Sequence, residues 1–134
     1  MKTVLTVGVF DLLHLGHVEL FRKARALGDR LVVAVQDGDW VAKYKPGART
    51  VGSTEERAYM VKAIKYVDDI VIYRDVETIV DEVDFDIFAA GPDQGHAGFR
   101  KVFDWCRDHD KQVVILPRTE GISTTELKEH IKQL

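Results

Sequence analysis

The chain has one cysteine, three prolines and no apolar run approaching the roughly 18 to 20 residues that span a bilayer. A single thiol cannot close an internal disulfide, so the fold has to hold by packing. With three prolines and ten glycines among 134 residues, nothing reads as a long linker or low-complexity tract. Positive charge is not massed either. The 19 Lys and Arg face 22 Asp and Glu, for a formal charge of −3 with no basic block. That removes the main electrostatic support for extended nucleic-acid or anionic-membrane binding, while a small phosphorylated ligand stays open. Met1 leads into an apolar stretch without a charged leader or a small-residue cleavage site, and the expected location is the cytoplasm. The remaining composition, 46% hydrophobic and 31% charged, suits one globular domain over residues 1–134.

Apolar runs and helical stripes alternate along the chain. Residues 3–7, 31–35, 70–73, 87–90 and 113–116 are short apolar runs, as strands buried on both faces tend to be. Between them, Leu20, Phe21, Ala24 and Leu27 repeat at helical spacing, with Gly28 placed to end that helix. Ser53-Thr54-Glu55-Glu56 has the pattern of a capping box ahead of a stripe of Ala58, Val61, Ile64 and Met60, ending near Val67. Val76, Ile79, Val80 and Val83 predict a short helix, and Phe99, Val102, Phe103 and Cys106 another. Ser123-Thr124-Thr125-Glu126 caps a last helix through Ile131. Residues 36–52 carry no clear period and read as a long basic loop. The pattern predicts an α/β fold, a Rossmann-like doubly wound sheet of five parallel strands with helices on both faces.

The densest chemistry follows the first strand, in Gly8-Val9-Phe10-Asp11-Leu12-Leu13-His14-Leu15-Gly16-His17. A strand, a glycine turn and a helix start put both histidines beside unpaired backbone N–H groups and the positive end of a helix dipole, where phosphate is attracted. The bare His-x-x-His spacing also serves metal ions and helix caps. A zinc site needs further ligands, and Cys106 lies in a different amphipathic segment. In a doubly wound sheet the turns after the first, fourth and fifth strands gather on one edge. After the fourth comes Gly91-Pro92-Asp93-Gln94-Gly95-His96, where Asp93 either accepts a bond from a ligand or shapes the turn. After the fifth come Arg118 and the hydroxyls of Ser123, Thr124 and Thr125, a second phosphate-binding helix start. Two such starts facing one another suit a polyphosphate.

The paired motifs, Gly8-Val9-Phe10-Asp11-x-x-His14-x-Gly16-His17 with Arg118-Thr119-Glu120-Gly121-Ile122-Ser123-Thr124-Thr125, resemble those of the cytidylyltransferase family. The similarity runs over nearly the whole chain, through Glu56-Arg57 and Lys65-Tyr66-Val67-Asp68. It implies an enzyme that joins CTP to an alcohol phosphate such as glycerol phosphate, releasing pyrophosphate, with Mg²⁺ held mainly by the nucleotide phosphates and usually as a homodimer. On that resemblance His14, His17, Lys45 and Arg118 are catalytic. Val9, Phe10, Leu15, Gly16, Asp93 and the run Thr119, Glu120, Gly121, Ile122, Ser123, Thr124 and Thr125 complete the nucleotide side, and Asp11, Lys43 and Arg57 the acceptor side. The chain departs from the family in four places. Val9 stands for a usual Thr, Lys65 for Arg, Gly91-Pro92-Asp93-Gln94 for the Gly-Asp-Asp-Trp of glycerol-phosphate enzymes, and the match to a substrate lysine falls near Ile79. Related families with a similar His-x-Gly-His use ATP with a sugar phosphate or FMN. A nucleotide-binding regulatory module without catalysis is the non-enzymatic alternative.

Overall fold

The computed structural model describes residues 1–92, 94 and 97–134. Among these the strands are β1 (Thr3–Gly8), β2 (Arg30–Gln36), β3 (Asp69–Tyr73), β4 (Ile87–Ala90) and β5 (Gln112–Ile115). The helices are α1 (Leu15–Arg25), α2 (Gly38–Tyr44), α3 (Thr54–Lys62), α4 (Val76–Glu82), α5 (Ala97–Asp108) and α6 (Thr124–Gln133). The strands form one parallel sheet in the order β3-β2-β1-β4-β5. The order reverses between β1 and β4, which creates a crevice beyond their C-terminal ends.

Alternation along each strand feeds two cores. Val4, Leu31, Val33 and Ile87 meet Phe21 and Ala24 of α1 and Val61 of α3 on one face. Leu5, Val7, Val32 and Phe88 meet Val76 and Ile79 of α4 and Phe99 and Val102 of α5 on the other. Each such side chain contributes about 1.5 to 3 kcal/mol by leaving water, so the sheet and these four helices form the rigid body that carries the loops. Helix α6 buries no residue.

Several expectations need correction. The basic segment is not all loop, because residues 38–44 form α2, capped by the Asp37 carboxylate on the Asp39 amide and anchored by Val41 at 6% exposure. One buried position among residues 38–43 is too few to reveal a period. Helix α1 ends at Arg25 rather than at Gly28. Gly28 is small for another reason, since a Cβ there would lie 2.7 Å from the Lys2 carbonyl oxygen. Helix α3 stops at Lys62, short of Val67, and Met60 is exposed while Ala58 and Val61 turn inward.

Candidate active site

The turn from β1 into α1 is built around Phe10. Its φ of +54° and the +51° of Leu12 are unusual for bulky residues, and strain of this kind costs on the order of 1 to 3 kcal/mol and collects at functional sites. The turn folds the Phe10 ring back over Gly8, where a Cβ would lie 2.7 Å from the ring. The buried ring meets Phe21 edge-on at 5.0 Å and the edge of His17 at 5.6 Å. Phe10 therefore faces the core, and its side chain is a support for His17.

His14 is the N-cap of α1. Its Nδ1 accepts the Gly16 N–H at 3.0 Å, and Nδ1 of His17 accepts the His14 N–H at 3.3 Å. The two rings stack at 3.8 Å. Because each Nδ1 accepts from the backbone, each neutral ring carries its proton on Nε2, which leaves that N–H as a donor for a ligand. Burial lowers the pKa of His14. Burial, followed by repulsion from His14 and partly offset by Asp11, lowers His17 to about 4. Both histidines are then neutral donors at pH 7. Gly16 makes the cap possible, for a Cβ there would meet the His14 ring at 2.8 Å.

Asp11 and Arg57 tie this turn to its neighbours. The Asp11 carboxylate, 6% exposed, accepts the amides of Val51 at 2.7 Å and Gly52 at 3.0 Å. Arg57, 3% exposed, donates Nε to the Gly52 carbonyl and Nη1 to the carbonyls of Val9 and Gln36, both at 2.8 Å. Its Nη2 reaches Thr54 Oγ1, which also accepts the Gly38 amide. Burial works against the Arg57 charge and Asp11 favours it. One guanidinium thus joins the ends of β1 and β2 to the loop ahead of α3.

The far end of the chain arrives at the same place. Thr124 Oγ1 donates to the Asp11 carbonyl at 3.0 Å, and Lys128 Nζ lies 3.8 Å from the Asp11 carboxylate. A Cβ on Gly16 would sit 3.5 Å from Ile122. The starts of α1 and α6 are neighbours.

A family model described as cytidylyltransferase-like matches residues 5–130. The chain belongs to the cytidylyltransferase-like family. It is 40% identical to a glycerol-3-phosphate cytidylyltransferase of Bacillus subtilis (strain 168), with both chains covered completely. An FAD synthase of Pyrococcus horikoshii is 43% identical over 94 residues, 68% of this chain and 63% of that one. Among solved structures, the lipopolysaccharide core biosynthesis protein of Thermoplasma volcanium GSS1 superposes with a TM-score of 0.73 at 28% identity, over 89% of this chain and 97% of its own.

Within this cytidylyltransferase-like fold, the expected site residues fall into three groups. His14, Gly16, His17, Ile122 and Thr124 come together with Asp11. Ser123 is also there, its hydroxyl accepting the Glu126 amide as the cap of α6. Leu15, Arg118, Glu120, Gly121 and Thr125 are exposed on or beside these turns, Thr119 is half-buried, and Gly121 takes a φ of +79°. A second group is turned inward as support: Phe10, Arg57 and the Val9 carbonyl. The third lies on the α2 side, where Lys45 is exposed and Lys43 holds its ammonium 3.9 Å above the Trp40 ring. Asp93 lies outside the described residues.

A cleft of about 260 Å³ bounded by Asp11, Leu12, Val51 and Arg57 adjoins the first turn. A larger open groove of about 810 Å³ runs between α2 and α3 over Ile70 and Ile72, and none of the histidines line it. The two helix starts converge on the first turn, and no residue of either start lines that groove. Sequence reasoning missed Lys128 and Gln94. Lys128 stands one helical turn after Thr124, a spacing that was legible once α6 was placed over Asp11.

Proposed function

We propose that this enzyme transfers the cytidylyl group of CTP to glycerol 3-phosphate or a closely similar alcohol phosphate, giving a CDP-alcohol and pyrophosphate. The observation that carries the reading is the meeting of residues from the two ends of the chain, with Thr124 bonded to Asp11 beside the paired imidazoles. The full-length identity to a glycerol-3-phosphate cytidylyltransferase supports the choice of nucleotide and acceptor.

An alcohol phosphate has a second pKa near 6, so at neutral pH its attacking oxygen is already largely ionised and no strong base is required. The oxygen attacks the α-phosphorus in line, a new P–O bond forms, and the bond from that phosphorus to the bridging oxygen breaks as pyrophosphate leaves. Catalysis is then a matter of position and charge. The Nε2–H groups of His14 and His17 donate to oxygens of the reacting phosphate, where negative charge grows. The backbone amides at the starts of α1 and α6, with Arg118, hold the rest of the triphosphate, and Lys45 and Lys43 approach from the other side. Mg²⁺ enters as part of the substrate, on the triphosphate, as suits an ion that keeps oxygen ligands from phosphates and water. Both oxygens of Asp11 are engaged by amides, and no group of three His, Cys, Asp or Glu among the described residues could hold a metal ion. The resemblance also supports a homodimer, which sedimentation velocity tests. No helix among the described residues is long and apolar enough to cross a membrane.

The deciding experiment incubates purified protein and Mg²⁺ with CTP or ATP across glycerol 3-phosphate, amino-alcohol phosphates, sugar phosphates and FMN, and follows pyrophosphate release and product mass. CDP-glycerol is the expected product. Turnover with ATP alone, or tight CTP binding with no turnover on any acceptor, overturns the reading.

A further inference from the structure

Strands β1 and β4 pair only over Val4–Ile87 and Leu5–Phe88, although β1 runs on to Gly8 and β4 to Ala90. Beyond that point they part, and this parting is the crevice where the strand order reverses. Two side chains span the gap in place of the missing ladder. Thr6, 1% exposed, donates Oγ1 to the Ala89 carbonyl at 2.8 Å. Further out, Gln94 donates Nε2 to the Val7 carbonyl at 2.9 Å and accepts the Gly91 amide on Oε1 at 3.1 Å. Val7 is the last residue before the Gly8 turn that leads to His14, and Gly91 opens the loop after β4. A primary carboxamide fits because it offers a donor and an acceptor side by side on one planar group. A carboxylate only accepts, and a thioether does almost neither.

We propose that Gln94 is a positioning residue for the nucleotide: its carboxamide stitches the carbonyl end of β1 to the turn after β4, and so sets the width of the crevice that receives the nucleoside triphosphate. The proposal rests on the nucleotidyl-transfer reading, because ligands of open α/β sheets occupy this crevice. Neither Thr6 nor Gln94 needs to touch the acceptor. Loss of the stitch frees one carbonyl and one amide and lets the strand ends move apart, which weakens the grip on the triphosphate while the histidine cap, held by its own backbone bonds, keeps its chemistry.

The test compares the unsubstituted enzyme with Gln94→Met, which keeps the volume, and Gln94→Glu, which keeps the shape. Initial rates are measured with nucleotide and acceptor varied separately, between about pH 5 and 8, beside circular dichroism to confirm folding. Expected for both variants at neutral pH is a rise of about tenfold in the nucleotide KM, with kcat and the acceptor KM within about twofold. For Gln94→Glu the nucleotide KM, taken as a ratio to the unsubstituted enzyme at the same pH, falls back on acidification. The protonated carboxyl then donates to the Val7 carbonyl and accepts the Gly91 amide, while Gln94→Met shows no such recovery. A nucleotide KM within twofold in folded variants overturns the proposal, as does an equal loss in kcat or acceptor KM, or failure of both variants to fold, which makes the bridge a general strut. If the unsubstituted enzyme turns over no CTP, the functional reading fails by itself. The Gln94 variants are then compared by equilibrium binding of CTP and ATP, with the same tenfold loss expected.

Discussion

The two imidazoles work through their Nε2–H groups because the backbone claims both Nδ1 atoms. Preorganised donors of this kind are worth about 2.7 to 4 kcal/mol of barrier each, so His14→Ala and His17→Ala are expected to lower kcat by about 10²- to 10³-fold in folded protein. Steady-state kinetics showing losses below tenfold for both removes the histidines from the chemistry. The low pKa of His17 has its own consequence. With a folded value of about 4 against the ordinary 6.5 of a free imidazole, the unfolded chain binds more protons between those pH values. Stability therefore rises with pH across that window and is lost as pH falls from 6.5 toward 4. Two-dimensional NMR of the imidazole nitrogens is expected to show His17 neutral and protonated on Nε2 at pH 6, and a charged ring there contradicts the cap. The spacing of His14 and His17 was legible in the sequence. Their tautomers were not, since these depend on which backbone amide each ring faces.

At the scale of elements, the start of α1 shows how helix propensity and function pull apart. Replacing a helical glycine by alanine ordinarily gains up to about 1 kcal/mol, yet at Gly16 the added Cβ would press on the His14 ring at 2.8 Å. Gly16→Ala is expected to unfold in urea within about 1 kcal/mol of the unsubstituted protein while kcat drops by about 10²-fold, as a displaced catalytic group can cause. A stability loss that matches the activity loss removes the distinction. The capping box at Ser53 and the serine cap at Ser123 were readable because side chain and amide lie three residues apart. Helix α2 was not, having one buried residue among its described side chains and support from distant partners such as Thr54.

Across the whole molecule, Arg57 is the residue on which the loops depend, and here expectation and structure separate most. Its position beside Glu56 matched a family pattern for substrate contact, but its guanidinium is spent on carbonyls from three segments. Arg57→Lys keeps the charge and loses the fork. Denaturant unfolding is expected to show a loss of about 2 to 4 kcal/mol, together with a fall in activity, because the Asp11 turn and the 51–52 loop lose their common anchor. A loss below about 1 kcal/mol with activity impaired returns Arg57 to the substrate. By itself the sequence determined the alternation of strands and helices, the parallel sheet and the two polar turns, because burial period and end-capping are local and are written in residues a few positions apart. Only the tertiary structure decided which polar groups remain for a ligand. Asp11 and Arg57 look like site residues in a row of letters and Gln94 does not, and whether each faces a ligand or the backbone is settled by hydrogen bonds to segments as far as 87 positions away.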